Sequence, residues 1–225
     1  MPPPGEVLLY VPNLIGYGRL AAIIYGFHGD GVFDSAPLTF LLLYALNMAL
    51  DGIDGAAARR LNQTSAFGAW LDVVVDNLGR TLLWCRVAPA VGPWICCLEW
   101  TTFSCTHTLG AGWKMDFGTA PGIVMRVMAN GFYTALGVWA IAGLHCLPLL
   151  IYSQSHTAEI LQAAPAPFQP FAGSAEGLAV VTEVLEYGWW VLAAGRALVA
   201  AVELWFVWSH IRWLCEGSDE EEKKK

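Results

Sequence analysis

The sequence predicts an all-α, polytopic membrane protein built as a six-helix transmembrane bundle. Three observations carry that expectation: 56% of the 225 residues are hydrophobic, only 14% are Asp, Glu, Lys or Arg, and the mean hydropathy is +0.49. Soluble domains carry about 25% charged residues. So small a charged fraction, with a net charge of -7, excludes a disordered chain, which needs solvating charge, and a nucleic-acid binder, which needs a basic surface. At roughly 20 residues per membrane helix, the chain accommodates about six spans and no large soluble domain.

Apolar runs between Gly, Pro and polar breaks place the spans near residues 12–28, 36–60, 66–91, 93–111, 122–152 and 178–213. No basic stretch precedes the first run in Met1-Pro2-Pro3-Pro4-Gly5-Glu6, so that run is expected to remain in the mature protein. Residues 153–177 contain Pro165, Pro167 and Pro170 and read as an irregular loop. Residues 1–215 are expected to form one membrane domain, and residues 216–225 a charged cytoplasmic tail. The six cysteines lie mostly inside apolar stretches, which argues against a disulfide framework.

Orientation follows from the basic residues, which are enriched in cytoplasmic loops. The first and fifth loops have none. The second carries Arg59 and Arg60, the fourth carries Lys114 with Arg126 just beyond it, and Arg212 and Lys223 to Lys225 follow the last span; only Arg86 runs against the trend. Both termini are therefore expected to be cytoplasmic, which an even number of spans permits. The sequon Asn62-Gln63-Thr64 then faces the cytoplasm and escapes glycosylation.

Ionisable side chains in membrane helices cost several kcal/mol unless they are paired, hydrated or metal-bound. The second and third helices concentrate them. Asp51 and Asp54 are three residues apart and Asp72 and Asp76 four apart, so each pair shares one helix face. A turn near Arg60 to Ser65 returns the chain antiparallel, with Ser65 placed to cap the next helix, and four carboxylates then meet near the cytoplasmic face. Hard oxygen donors of this kind suit Mg²⁺ or Mn²⁺. Gly52, Gly55, Ala56, Ala57, Ala58, Gly68 and Ala69 leave one side of the helix pair without bulk, and Arg59 stands beside it to pair with a phosphate. Small-residue helix packing explains the glycines and alanines; it does not explain four aligned acids.

Together these residues read Asp51-x2-Asp54-Gly55-x2-Ala58-Arg59-x8-Gly68-x3-Asp72-x3-Asp76, eight fixed residues over 26 positions. The pattern resembles the signature of the CDP-alcohol phosphatidyltransferase family. The resemblance implies a six-helix membrane enzyme, often a homodimer, that holds two divalent ions (Mg²⁺ or Mn²⁺) and a CDP-linked lipid. By the same resemblance Asp51, Asp54, Asp72 and Asp76 are metal ligands, Asp76 is also the catalytic base, and Gly55, Ala58, Arg59 and Gly68 border the CDP-diacylglycerol.

Val11-Pro12-Asn13-Leu14-Ile15-Gly16-Tyr17-Gly18-Arg19 further resembles the opening of the eukaryotic phosphatidylinositol synthase branch, as do Ala58 to Gln63 and, more loosely, Lys114-Met115-Asp116. That branch transfers a phosphatidyl group from CDP-diacylglycerol to myo-inositol, within membrane lipids and without nucleic acid. In it, Arg usually follows the last signature Asp, whereas Asn77 stands here and Arg80 lies one turn further on. Two other readings stay open: the same transfer to serine or glycerol phosphate, and an inactive paralogue acting as a membrane scaffold. A location in the endoplasmic reticulum is expected. The C-terminal tail adds little to it, because Glu221 and Glu222 stand where a dilysine return signal needs its second Lys.

Several weaker features complete the reading. Asn13 and Arg19 lie about 1.7 turns apart on the first helix, a spacing that lets Arg19 dip among the carboxylates, as a substrate contact or as an ion pair. The fourth helix is polar at Glu99, Thr101, Thr102, Ser104, Thr106 and His107, which suits a hydrated cavity or bonds between helices. Arg196 and Glu203 are expected to pair on one face of the last helix. The many tryptophans read as interfacial anchors and packing.

Overall fold

The computed structural model describes residues 4–29, 31–108 and 120–222. Lys114, Met115, Asp116 and Lys223 to Lys225, singled out above, lie outside them. All regular structure among the described residues is helical. The chain divides into two compact units, one of Met1–Leu83 with Tyr152–Leu185 and one of Trp84–Ile151 with Glu186–Lys225.

In the first unit a short α1 (Pro4–Leu8) leads into α2 (Val11–His28), and α3 (Val32–Ser35) turns the chain into α4 (Pro37–Arg60). Pro12 and Pro37 stand in the first turns of α2 and α4, where a missing N–H costs nothing. Helix α5 (Ala66–Val87) follows and contributes to both units. Helices α2 and α4 pack against each other, and α5 lies against both. A Cβ on Gly79 would come within 3.2 Å of Ile23 and 3.5 Å of Tyr44, and one on Gly16 within 3.0 Å of Leu71. Away from the acids, Phe27, Phe33, Phe40 and Tyr152 form an aromatic cluster, with Tyr152 donating to the Phe33 carbonyl at 2.6 Å. Phe40 precedes Asp54 by 14 residues, so this plug sits roughly 20 Å along α4 from the acids.

The second unit receives the end of α5, α6 (Gly92–Thr108), α7 (Gly122–Met128), most of α8 (Ala135–Ser155) and the later part of α11 (Ala175–Glu222). Its core joins Val124, Val127, Ala140, Val199, Val202 and Phe206. Helices α8 and α11 cross at glycines: a Cβ on Gly143 would collide with the Arg196 amide, and one on Gly195 would lie 2.5 Å from the Trp139 carbonyl. Such contacts let backbones approach where lipid supplies no hydrophobic drive. Arg196 is buried between Glu203 at 2.8 Å and Glu99 at 3.4 Å, so the expected pair is part of a three-residue cluster. No disulfide joins any of the six cysteines.

Two of the sequence expectations need correction. The fifth span, read as residues 122–152, is broken between α7 and α8, where Asn130, Gly131 and Phe132 have φ of 53°, 63° and 68°. Asn and Gly tolerate the left-handed region, and Thr134 then caps α8 by accepting the Gly137 amide at 3.1 Å. The loop over residues 153–177 is partly helical, with α9 (Thr157–Gln162) and α10 (Gln169–Ala172). Pro170 opens α10, and Gln169 ties it back by donating to the Gln162 and Ala164 carbonyls. The last helix, α11, extends through Glu222.

Among the described residues, three helical segments suffice by length and composition to cross a membrane, Pro37–Arg60, Ala135–Ser155 and Ala175–Cys215. The chain is a membrane protein of all-helical architecture. The other expected spans are shorter or more polar: α2 contains Asn13 and Arg19, α5 contains Asp72, Asp76, Arg80 and Arg86, and α6 has 17 residues.

Candidate active and metal-binding site

The turn between α4 and α5 sets the register of the acids. Asn62 adopts φ 54° just past the end of α4, and the Gln63 amide donates to the Ala58 carbonyl at 2.9 Å, which closes the helix as a Schellman turn. Ser65 then caps α5 by accepting the Gly68 amide at 2.9 Å, as its residue type suggested. The Gln63 side chain accepts the Val11 amide at 2.9 Å, binding this turn to the start of α2. Asp51 and Asp54 on α4 thereby face Asp72 and Asp76 on α5.

All four aspartates converge on the guanidinium of Arg19. Its Nη1 lies 2.7 Å from Asp54 Oδ2 and 2.8 Å from Asp72 Oδ1; its Nη2 lies 2.7 Å from Asp51 Oδ1 and 2.5 Å from Asp76 Oδ1. Arg19 is fully buried, and its Nε has no hydrogen-bond partner among the described residues. One oxygen each from Asp51, Asp72 and Asp76 lies within 4.8 Å of the others. This donor set of carboxylate oxygens fits a hard divalent cation. Of the two readings of Arg19 made from sequence, the ion pair is what the geometry displays.

Beside the acids opens a cleft of about 160 Å³ lined by Asn13, Asp54, Gly55, Ala58, Arg59, Ser65, Gly68 and Asp72, among others. The four residues expected to border the CDP-linked lipid, Gly55, Ala58, Arg59 and Gly68, all lie on it. Gly68 is constrained: an added Cβ would come within 2.9 Å of Asn13 Oδ1, and Asn13 is buried and held by its Nδ2, which donates to the Val7 carbonyl at 2.6 Å. Arg59 is exposed at the rim and makes no salt bridge among the described residues. Asp51 and Asp76 do not line this cleft; they meet the other acids through Arg19.

Arg80 meets Asp76 one turn back, as its spacing allowed, and Asn77 acquires a partner that the sequence did not reveal. Arg80 Nη2 donates to Asn77 Oδ1 at 2.5 Å, and Nη1 lies 3.4 Å from Asp76 Oδ2. The polar character of α6 is resolved differently: Thr101 and Thr106 donate to the carbonyls of Cys97 and Thr102, one turn back, while Glu99 joins Arg196. Arg19 was absent from the expected ligand and base residues. Its sequence signal was a lone charge in an apolar helix.

The model of the CDP-alcohol phosphatidyltransferase domain matches residues 9–201, which includes every residue of the site. The chain belongs to the CDP-alcohol phosphatidyltransferase family. Within that family it is 41% identical over 86 residues to a human CDP-diacylglycerol–inositol 3-phosphatidyltransferase, covering 38% of this chain and 39% of the human one. The protein of that name from Saccharomyces cerevisiae is 38% identical over 89 residues, covering 40% and 39%, and one from Arabidopsis thaliana is 41% identical over 78 residues, covering 35% and 33%. The matched segments thus span about two-fifths or less of these relatives. No solved structure matches the chain.

Proposed function

We propose that the protein is a metal-dependent phosphatidylinositol synthase: it transfers the phosphatidyl group of CDP-diacylglycerol to a hydroxyl of myo-inositol and releases CMP. The observation that carries this reading is the gathering of Asp51, Asp54, Asp72 and Asp76 around Arg19, with one oxygen each of Asp51, Asp72 and Asp76 close enough to share an ion, beside a cleft lined by Gly55, Ala58 and Gly68. The names of the relatives favour inositol as the acceptor.

Asp51, Asp54, Asp72 and Asp76 would hold Mg²⁺ or Mn²⁺, two ions by family resemblance. When bound, such ions supply positive charge for the diphosphate and its leaving oxygen. The absence of side chains at Gly55 and Gly68 lets the diphosphate approach the backbone, and Arg59, which makes no salt bridge among the described residues, offers its guanidinium to the phosphates. Asp76 accepts the proton of the inositol hydroxyl as that oxygen bonds to the lipid-side phosphorus and the bond to CMP breaks. Arg19 and Arg80, on its two oxygens, hold the carboxylate in place. The acyl chains remain in the bilayer while inositol arrives from the cytoplasm.

Six spans, cytoplasmic termini, a single membrane domain over residues 1–215, a homodimer and residence in the endoplasmic reticulum belong to the same reading. Its test is an acceptor screen: purified protein with CDP-diacylglycerol and Mg²⁺ or Mn²⁺, offered inositol, serine or glycerol phosphate, with CMP release followed. Release with inositol supports the reading. Release only with another alcohol moves the acceptor, and no release with any alcohol leaves the scaffold reading.

A further inference from the structure

The acids and Arg19 are unequally exposed. The side chains of Asp51, Asp72 and Asp76 are 41%, 47% and 23% accessible, whereas Arg19 is 0% accessible. Ions reaching the cluster therefore meet carboxylates first, with the guanidinium sealed behind them. The pairing also has a pattern. Nη1 joins Asp54 of α4 to Asp72 of α5, and Nη2 joins Asp51 of α4 to Asp76 of α5. Each nitrogen thus bridges the two motif helices, at two successive levels, and engages one oxygen of each acid. A carboxylate has two oxygens, so every acid keeps one that Arg19 does not use. The second oxygen of Asp76 faces Arg80 Nη1 at 3.4 Å, and two positive charges set against four negative ones still leave the cluster attractive to cations.

We propose that Arg19 is the positioning residue of this metal centre: from beneath, its planar fork fixes the spacing of the four aspartates across α4 and α5, and it stays in place when divalent ions bind. The proposal rests on the metal-dependent reading above. It differs in sign from a second role for the same contacts, in which Arg19 is a resident counter-ion that the metal must expel. A lysine retains the charge but has a single nitrogen, so it cannot bridge both levels.

Metal binding without substrate separates these roles. Chelator-stripped full-length protein in detergent is titrated with Mn²⁺ by calorimetry, as wild type, Arg19→Lys, Arg19→Gln and Asp72→Asn. Positioning predicts that both Arg19 variants bind Mn²⁺ more weakly, by roughly 10- to 100-fold, the usual cost of removing a group that orients metal ligands. Wild-type affinity in Arg19→Lys would reduce Arg19 to charge balance, and tighter binding in Arg19→Gln would make it a competitor; either overturns the proposal. Asp72→Asn reports on the metal reading itself: unchanged Mn²⁺ binding there removes the centre, and the role of Arg19 with it. Wild-type protein gives a readout independent of variant folding. Phenylglyoxal followed by peptide mass spectrometry should leave Arg19 unmodified with and without Mn²⁺, and labelling that appears on adding Mn²⁺ would show expulsion.

Discussion

Arg80 reaches back one turn of α5 to Asp76, its Nη1 3.4 Å from Asp76 Oδ2, while its Nη2 donates to Asn77 Oδ1. The phosphatidylinositol synthases that this chain resembles usually carry Arg immediately after the last signature Asp. Here that position is a hydrogen-bond acceptor, 3% exposed, and the cation beside Asp76 comes from the next turn. Asn77→Arg would therefore bury a second guanidinium against Arg80 and remove one of the latter's acceptors, at a cost of several kcal/mol. The expected outcome is a fall in both melting temperature and inositol transfer. A gain in inositol transfer would mean that Asn77 limits acceptor use.

Asp76→Asn tests the general base. It should lower the rate of CMP release by roughly 10² to 10⁴, with CDP-diacylglycerol binding retained better than turnover. Single-turnover kinetics with saturating lipid checks this, and wild-type turnover in the variant would exclude Asp76 as the base.

Two glycines of the signature region make opposite predictions. An added methyl on Gly52 meets nothing within 4 Å, whereas one on Gly68 comes within 2.9 Å of the tethered Asn13. Gly52→Ala should leave activity unchanged within about two-fold, since Ala favours helix by up to 1 kcal/mol. Gly68→Ala should raise KM for CDP-diacylglycerol about 10-fold or more, the effect of about 1.4 kcal/mol of lost binding. Equal KM values for the two variants would show that the cleft is not the lipid-nucleotide site.

The site was legible where local periodicity governs it. Spacings of three and four put Asp51 with Asp54 and Asp72 with Asp76, and Ser65 announced the cap that starts α5. Arg19 was legible as a charge able to dip among the carboxylates, but not as the partner of all four, because they lie 32 to 57 residues further along the chain and only helix packing selects them. The break at Asn130 and Gly131 escaped notice because the flanking runs are apolar on both sides, and hydropathy does not register a left-handed turn. Prolines near residue 170 were read as loop formers although Pro also opens helices, as it does in α10. Asn77 looked like a simple substitution until Arg80 gave it a partner.

Topology is tested at the fifth loop. Ala163 is exposed and follows α9, so Ala163→Cys in a background with the six native cysteines replaced gives one labelling site. An impermeant maleimide should reach it from the non-cytoplasmic side, and Asn62 should stay unglycosylated. Labelling from the cytoplasm would refute the assigned orientation.

The most direct test of the central claim is incorporation of labelled myo-inositol into lipid by the purified protein with CDP-diacylglycerol and Mg²⁺ or Mn²⁺. The prediction is a labelled phospholipid formed in step with CMP, abolished by excess chelator and restored by added metal. Labelled lipid at the same rate in excess chelator would contradict the role given to the four aspartates, and no labelled lipid under any metal condition would contradict phosphatidyl transfer to inositol.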